Sequence, residues 1–375
     1  MLVTSARSRR ARAVLSAAAV GSALVLLAPP AGAHGRHGGG HHDAGPPVEV
    51  VASGLSDPWS VRFDGRGRLV VAEQGTGEVT RVEGPGAGGQ RVLATQPGLA
   101  AADTSGRTVL ALTSGGAPDA PAVAGQATLY AGPPGQLRAL VDLLGYEKST
   151  NPDGQDQAAP DALSNPFSVL AGSGKHAPLA YVADGGANDV LAVAADGRVS
   201  TFFVPPTVTT GACAGVPNNG SLTGCDSVPT GLSYGPGGKV YVAALTAEVP
   251  GEGRVYVLDR TGHQVREITG FTGPTGVAVG DDGTVYVSEL LEGAPPQDGP
   301  PPAGFDPSTI GRIVAVAPDG RRSAAQVTMP LGLQWRDGAL YTTAWSVAGQ
   351  FGTTPAGAPP VGVVAEVRKS AFTAL

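Results

Sequence analysis

The sequence predicts an all-β fold, a six-bladed β-propeller with four-stranded blades. Three observations carry that expectation. A unit of three recognisable strands recurs six times from about residue 50, at a mean spacing of about 55 residues. Helical periodicity is nearly absent, and many strands are apolar on both faces, as a sheet packed between two others requires. The last unit shows only three strands, while an orphan strand precedes the first.

The chain opens MLVTSARSRRARAVLSAAAVGSALVLLAPPAGAHG. Arg7, Arg9, Arg10 and Arg12 make a basic region, and Val14 to Ala28 make an apolar run too short and alanine-rich for a membrane span. Ala31 to Ala33 fit a small-residue cleavage pattern. A signal peptide over residues 1–33, cut after Ala33, is therefore expected, and with it a secreted protein. Arg9-Arg10 follow Ser8 as in a twin-arginine signal, without the apolar residue that normally comes next. Residues 34–47, HGRHGGGHHDAGPP, read as a His/Gly-rich flexible linker. Losing four arginines with the peptide takes the net charge from −6 to −10. An acidic exported chain has no electrostatic attraction to nucleic acid. No later segment is long enough to span a bilayer. The expected partners are a small molecule or an envelope protein, and the chain is expected to be a monomer.

The propeller is assigned to residues 48–375. The orphan strand VEVVAS (48–53) supplies the missing outer strand of the last blade, which closes the ring and hides sheet edges. Each unit opens with a Pro loop: SDPWSV, TQPGLA, SNPFSV, SVPTGL, TGPTGV and TMPLGL. The second strands follow, from RLVVAE (68–73) and TVLALT (108–113) through LAYVAD (179–184), KVYVAA (239–244) and TVYVSE (284–289) to ALYTTA (339–344). Third strands such as DVLAVAADG and RIVAVAPDG complete each unit. With 57 Gly and 33 Pro beside a hydrophobic content of 42%, the excess breakers belong to turns rather than to disorder.

Cys213 and Cys225 lie in GACAGVPNNGSLTGCDS. An exported chain favours a disulfide there, worth roughly 3 kcal/mol. Neither a CxxC spacing nor a nearby histidine supports a metal pair.

The up-and-down strand order puts two kinds of loop on one face: those leading into the inner strands and those joining second to third strands. That face carries the long insertions 114–126, 144–163, 205–229, 246–252, 290–311 and 346–360, while turns such as DGRG, GPGG and PDG make the other. Function is expected on the long-loop face, at the mouth of the central channel. Trp59, Phe167, Thr230, Thr275 and Leu331 follow the Pro loops nearest the axis. Trp59 and Phe167 suit an apolar or planar ligand, or else core packing.

Glu73, Asp184 and Glu289 end the second strands of alternate blades. Converging, they would hold a hard cation such as Ca²⁺ through oxygen ligands. Spread out, they are strand ends that cap backbone N–H groups. His176 and His263 fall in turns of the short-loop face, which leaves the channel mouth without a histidine base. A binding propeller with no assignable catalysis is the first expectation. A Ca²⁺-dependent lactonase- or hydrolase-like enzyme is the alternative.

The sequences NPDG (151–154), SNPFSV (164–169) and VADGGANDVLAV (182–193), with the opening ASGL…P at Ala52 to Pro58, resemble the ScyD/ScyE family of exported proteins. The resemblance spans the mature chain and is weakest over residues 85–145. It implies an NHL-like propeller and a periplasmic or extracellular location. The founding members belong to scytonemin pigment biosynthesis, and no catalytic motif carries over from the family. In ADGGANDVLAV, Gly185 and Gly186 are expected to permit the turn, with Asn188 and Asp189 satisfying local backbone donors.

Overall fold

The computed structural model describes residues 46–375 except 84–88, 117–122, 156–163, 220–221, 291, 296–301, 303 and 354–358. The expected signal peptide and nearly all of the expected linker lie outside the described residues. Six antiparallel sheets form the ring of a β-propeller. The first blade runs Pro58–Phe63, Leu69–Glu73, Glu78–Val82 and Gln90–Thr95 from the axis outward, and the second runs Leu99–Ser105, Thr108–Thr113, Thr128–Gly132 and Arg138–Asp142. The third and fourth begin at Pro166–Ala171 and Pro229–Tyr234. The fifth begins at Pro274–Val279 and gains a short outer strand, Thr373–Ala374, that the sequence reading did not anticipate. The sixth contains Leu333–Arg336, Ala339–Ala344 and Gly362–Val367, and Val48–Leu55 pairs antiparallel with the last of these. The N-terminal strand thus closes the ring as expected. Cores form between successive blades; Leu110, Leu112 and Leu129 of the second pack on Val169, Val182 and Leu191 of the third.

The Pro loops have a structural reason. Five inner strands shift register just after their first residue, between Pro58 and Ser60, Leu99 and Ala101, Pro166 and Ser168, Pro229 and Gly231, and Pro274 and Gly276. Such a bulge inserts one extra residue and re-aims its side chain. The extra residues are Trp59, Ala100, Phe167, Thr230 and Thr275. The residue after each bulge is small because the inner strands meet there. A Cβ on Gly276 would sit 2.2 Å from the Leu331 carbonyl oxygen, and in the sixth blade, which has no such bulge, one on Gly332 would sit 2.9 Å from the Ser60 Cα.

Arg62 fills the axis. Its Nη2 donates to the carbonyls of Val169 (3.3 Å) and Leu232 (2.9 Å), and its Nη1 donates to Gln334 Oε1 at 3.1 Å. Its Nε lies 3.8 Å from Asp103 Oδ2, and Asp103 in turn accepts the Ala171 N–H at 2.8 Å. One buried guanidinium therefore touches blades one, two, three, four and six. Burial pulls Arg62 below and Asp103 above its ordinary pKa, and each opposes that shift in the other.

One α-helix stands among the described residues, Leu143–Thr150, inside the insertion between blades two and three. Asp142 caps its N-terminus through Gly145 N, and Asn151 ends it in a left-handed conformation at φ 48°. Cys213 and Cys225 form the expected disulfide, with Cα atoms 5.4 Å apart. No helix among the described residues is long and apolar enough to cross a membrane.

Replacing Arg62 with Met is expected to destabilise the protein by about 3–5 kcal/mol, since the Asp103 carboxylate is left buried without its partner. In urea unfolding, Arg62→Met with Asp103→Asn should recover part of that loss. A single-variant loss below about 1 kcal/mol would show that the axial pair is dispensable.

Candidate binding face and its buried carboxylates

The bulged residues gather at the long-loop end of the axis. Trp59 and Phe167 stack with ring centroids 5.2 Å apart and planes 23° from parallel. Leu290, Ile310, Met329, Leu331 and Val347, from the long loops, pack with them, joined by the half-buried Phe305, Trp345 and Phe351. Five partly exposed aromatic rings therefore collect on this face. Thr230 and Thr275 are turned to other work. Thr230 Oγ1 donates to the Pro274 carbonyl at 2.9 Å, stitching blade four to blade five. Thr275 Oγ1 lies 3.1 Å from Ser288 Oγ, which donates to the Leu331 carbonyl. Below the rings, the cavity bounded by Trp59, Phe167, Thr230, Thr275, Leu331 and Arg62 holds only about 20 Å³. That is room for about one water molecule and far below a small-molecule site.

Glu73, Asp184 and Glu289 each hold their own blade. Glu73 Oε2 accepts the Ser56 N–H at 2.7 Å and Oε1 accepts the Thr80 hydroxyl. Asp184 accepts the Asn165 N–H at 2.6 Å, the Gly186 and Ala187 N–H groups at 3.1 and 3.2 Å, and the Ser164 hydroxyl. Glu289 accepts the Thr272 N–H at 2.7 Å and Arg312 Nε at 2.6 Å. Ser56, Asn165 and Thr272 lie one or two residues before the proline that opens the inner strand. Each carboxylate thus staples the incoming loop to the end of its second strand. Burial raises all three above the usual carboxylate range, Asp184 to about 6, and the donors oppose the rise. Among the described residues, no three His, Cys, Asp or Glu side chains are grouped as a metal-ligand set.

The hairpin ADGGANDV departs from its expected chemistry. Asn188, at φ 52°, takes the left-handed conformation, whereas Gly185 and Gly186 do not. Asn188 Nδ2 donates to Asp153 Oδ2 at 3.2 Å rather than to local backbone, and its Oδ1 is buried with no partner. Asp189 is fully buried, and neither carboxylate oxygen accepts a hydrogen bond. It pairs across the strands with Asp184. Burial first, then the charges of Asp184, Glu147 and Asp153, push its pKa up to about 10. NPDG and the hairpin, far apart in sequence, are therefore one structural corner. Gln155 extends that corner to the disulfide loop: its Nε2 donates to Asp226 Oδ1 at 2.8 Å and its Oε1 accepts from Asn219 Nδ2 at 2.8 Å. Sequence reasoning missed Arg62, Asp103 and this corner. The unusual Asp189 beginning an apolar third strand was the signal available for it.

No family model matches this chain, and no curated protein matches it in sequence. Solved structures are similar in fold. The PQQ-bound aldose sugar dehydrogenase of Streptomyces coelicolor matches with a TM-score of 0.51 and 13% identity, over 85% of this chain and 97% of that one. A luciferin-regenerating enzyme matches with a TM-score of 0.51 and 10% identity, over 88% and 97%. Virginiamycin B lyase of Staphylococcus aureus matches with 0.45 and 12%, over 80% and 82%. At these identities the likeness extends to the propeller fold alone.

Glu73→Ala and Glu289→Ala should each lower unfolding stability by about 1–3 kcal/mol, because a buried loop N–H loses its acceptor. Thermal melts should give the same loss with Ca²⁺ or with EDTA present. A loss seen only with Ca²⁺ would mean that these carboxylates hold the cation.

Proposed function

We propose that this chain is an exported propeller of ScyD/ScyE type that binds a ligand on its long-loop face and performs no catalysis there. The observation that carries this reading is the blocked axis. Arg62 plugs the channel and the stacked Trp59–Phe167 pair closes its upper end, so the accessible recognition surface is the ring of half-buried aromatics above. Rigid, flat rings beside variable loops suit a planar or apolar ligand, which gains contact area at little cost in side-chain entropy. Trp59 and Phe167 form the platform. Thr230 and Thr275 act beneath it, holding the inner strands in register. His176 and His263 stand in the short turns of the opposite face, which supports binding over acid–base chemistry. The Cys213–Cys225 disulfide accords with an oxidising compartment. The ligand is a small molecule or a flat apolar patch of an envelope protein, taken up by a monomer.

The probe is 1-anilinonaphthalene-8-sulfonate, titrated into the folded chain below its melting temperature. Saturable fluorescence enhancement is expected, weakened at least about tenfold by Phe167→Ala or Trp59→Ala. Far-ultraviolet circular dichroism confirms that each variant remains folded. Enhancement unchanged in both folded variants would place the ligand surface elsewhere.

A further inference from the structure

The corner between the NPDG loop and the third-blade hairpin contains oxygens that nothing among the described residues satisfies. Asp189 is fully buried with two unpartnered carboxylate oxygens. A carboxylate in that position costs several kcal/mol unless a counter-charge or donors reach it. The charges that bear on it come from Asp184, Glu147 and Asp153, all acidic. Asp184, Asp153 and Asp189 take part in none of the ion pairs among the described residues. The sequence from residue 149 to 174 contains no basic residue at all.

Independent of the acids, two amide oxygens are left over on residues of the same corner. Asn188 is nine-tenths buried, and its amide is seated against Asp153 through Nδ2, which leaves Oδ1 without a partner. Asn151 ends the helix that carries Glu147. Its Nδ2 is committed to the Gln155 carbonyl at 2.9 Å, and its buried Oδ1 is also unpartnered. Both amides are oriented by the hydrogen bonds of their nitrogens, so in each it is the oxygen that remains free. Asp184 does not join this set, since its oxygens are taken by four donors.

We propose that Asp189, Asn188 and Asn151 hold a divalent cation of Ca²⁺ type, with Asp153 and Glu147 supplying the surrounding negative charge. One buried carboxylate and two neutral amide oxygens, with no imidazole or thiolate, select a hard cation. Ca²⁺ tolerates an irregular oxygen shell completed by water, whereas Mg²⁺ demands near-ideal octahedral geometry. The cation would tie helix, NPDG loop and hairpin together. Through Gln155 it would also steady the disulfide loop. The site stands apart from the aromatic platform and does not depend on the ligand reading of that surface.

The test uses the full chain stripped with EDTA and titrated with CaCl₂ or MgCl₂, followed by calorimetry and thermal melting. One Ca²⁺ per chain is expected, raising the melting temperature by about 5 °C when the cation is in large excess over its dissociation constant. Mg²⁺ should bind at least about tenfold more weakly. Asp189→Asn should abolish Ca²⁺ binding while the metal-free variant melts no lower than the metal-free parent, since a buried acid has been removed. Asn151→Ala, a change at the half-buried residue that ends the helix, should weaken Ca²⁺ at least about tenfold and serves if Asp189→Asn does not fold. Failure of the stripped chain to bind Ca²⁺, or unchanged Ca²⁺ affinity in a folded Asp189→Asn or Asn151→Ala chain, would overturn the site.

Discussion

A single positive charge at the axis organises this propeller. The Arg62 guanidinium reaches backbone carbonyls of the third and fourth blades, the Gln334 side chain of the sixth and the Asp103 carboxylate of the second. Its Nη1 and Nη2 donors can be satisfied only if those inner strands come close together, and the close approach explains the small residues at the tops of the inner strands. Gly231, Gly276 and Gly332 leave no room for a Cβ against the neighbouring inner strand. A buried charge of this kind adds little net stability over a well-packed apolar filling, but losing one partner is costly. Its contribution here is geometric: it fixes the strands to one point and closes the channel.

That closure sets where the proposed recognition takes place. With the axis filled, the side chains re-aimed by the bulges at the top of the inner strands become the floor of the long-loop face. Trp59 and Phe167 are aromatic and form a platform, while Thr230 and Thr275 are small hydroxyls that stitch neighbouring strands. One backbone device thus builds an aromatic platform in two blades and cohesion in two others. The stapling carboxylates Glu73, Asp184 and Glu289 fix the loops that lead into these bulges, which connects the rigidity of the face to the ends of the second strands.

The strands were legible in the sequence because their signals are local. Val-rich runs between Gly and Asp turns gave every second and third strand, and the pairing of Val48–Leu55 with Gly362–Val367 followed from strand count. The helix Leu143–Thr150 was not legible, since it is short, holds Gly145 and depends on Asp142 as a cap. Arg62 was not legible either. In VRFDG it alternates with apolar neighbours as any solvated strand residue would, and only closure of the ring buries it. The difference between Asp184, with four donors, and Asp189, with none, is equally invisible in ADGGANDV. The two are cross-strand partners on one face of the hairpin, and Asp184 takes the Asn165, Gly186 and Ala187 N–H groups and the Ser164 hydroxyl, which leaves Asp189 only the charges of the helix and NPDG loop.

If the inner strands are bound to one axial charge, they should open only together. Hydrogen exchange of the intact protein, resolved by peptide, tests this directly. Amides in Pro58–Phe63, Pro166–Ala171 and Pro229–Tyr234 should exchange at one common slow rate set by global unfolding, with loop amides exchanging faster. Distinct rates for these three strands, with one blade opening while the others stay protected, would contradict a ring held at Arg62.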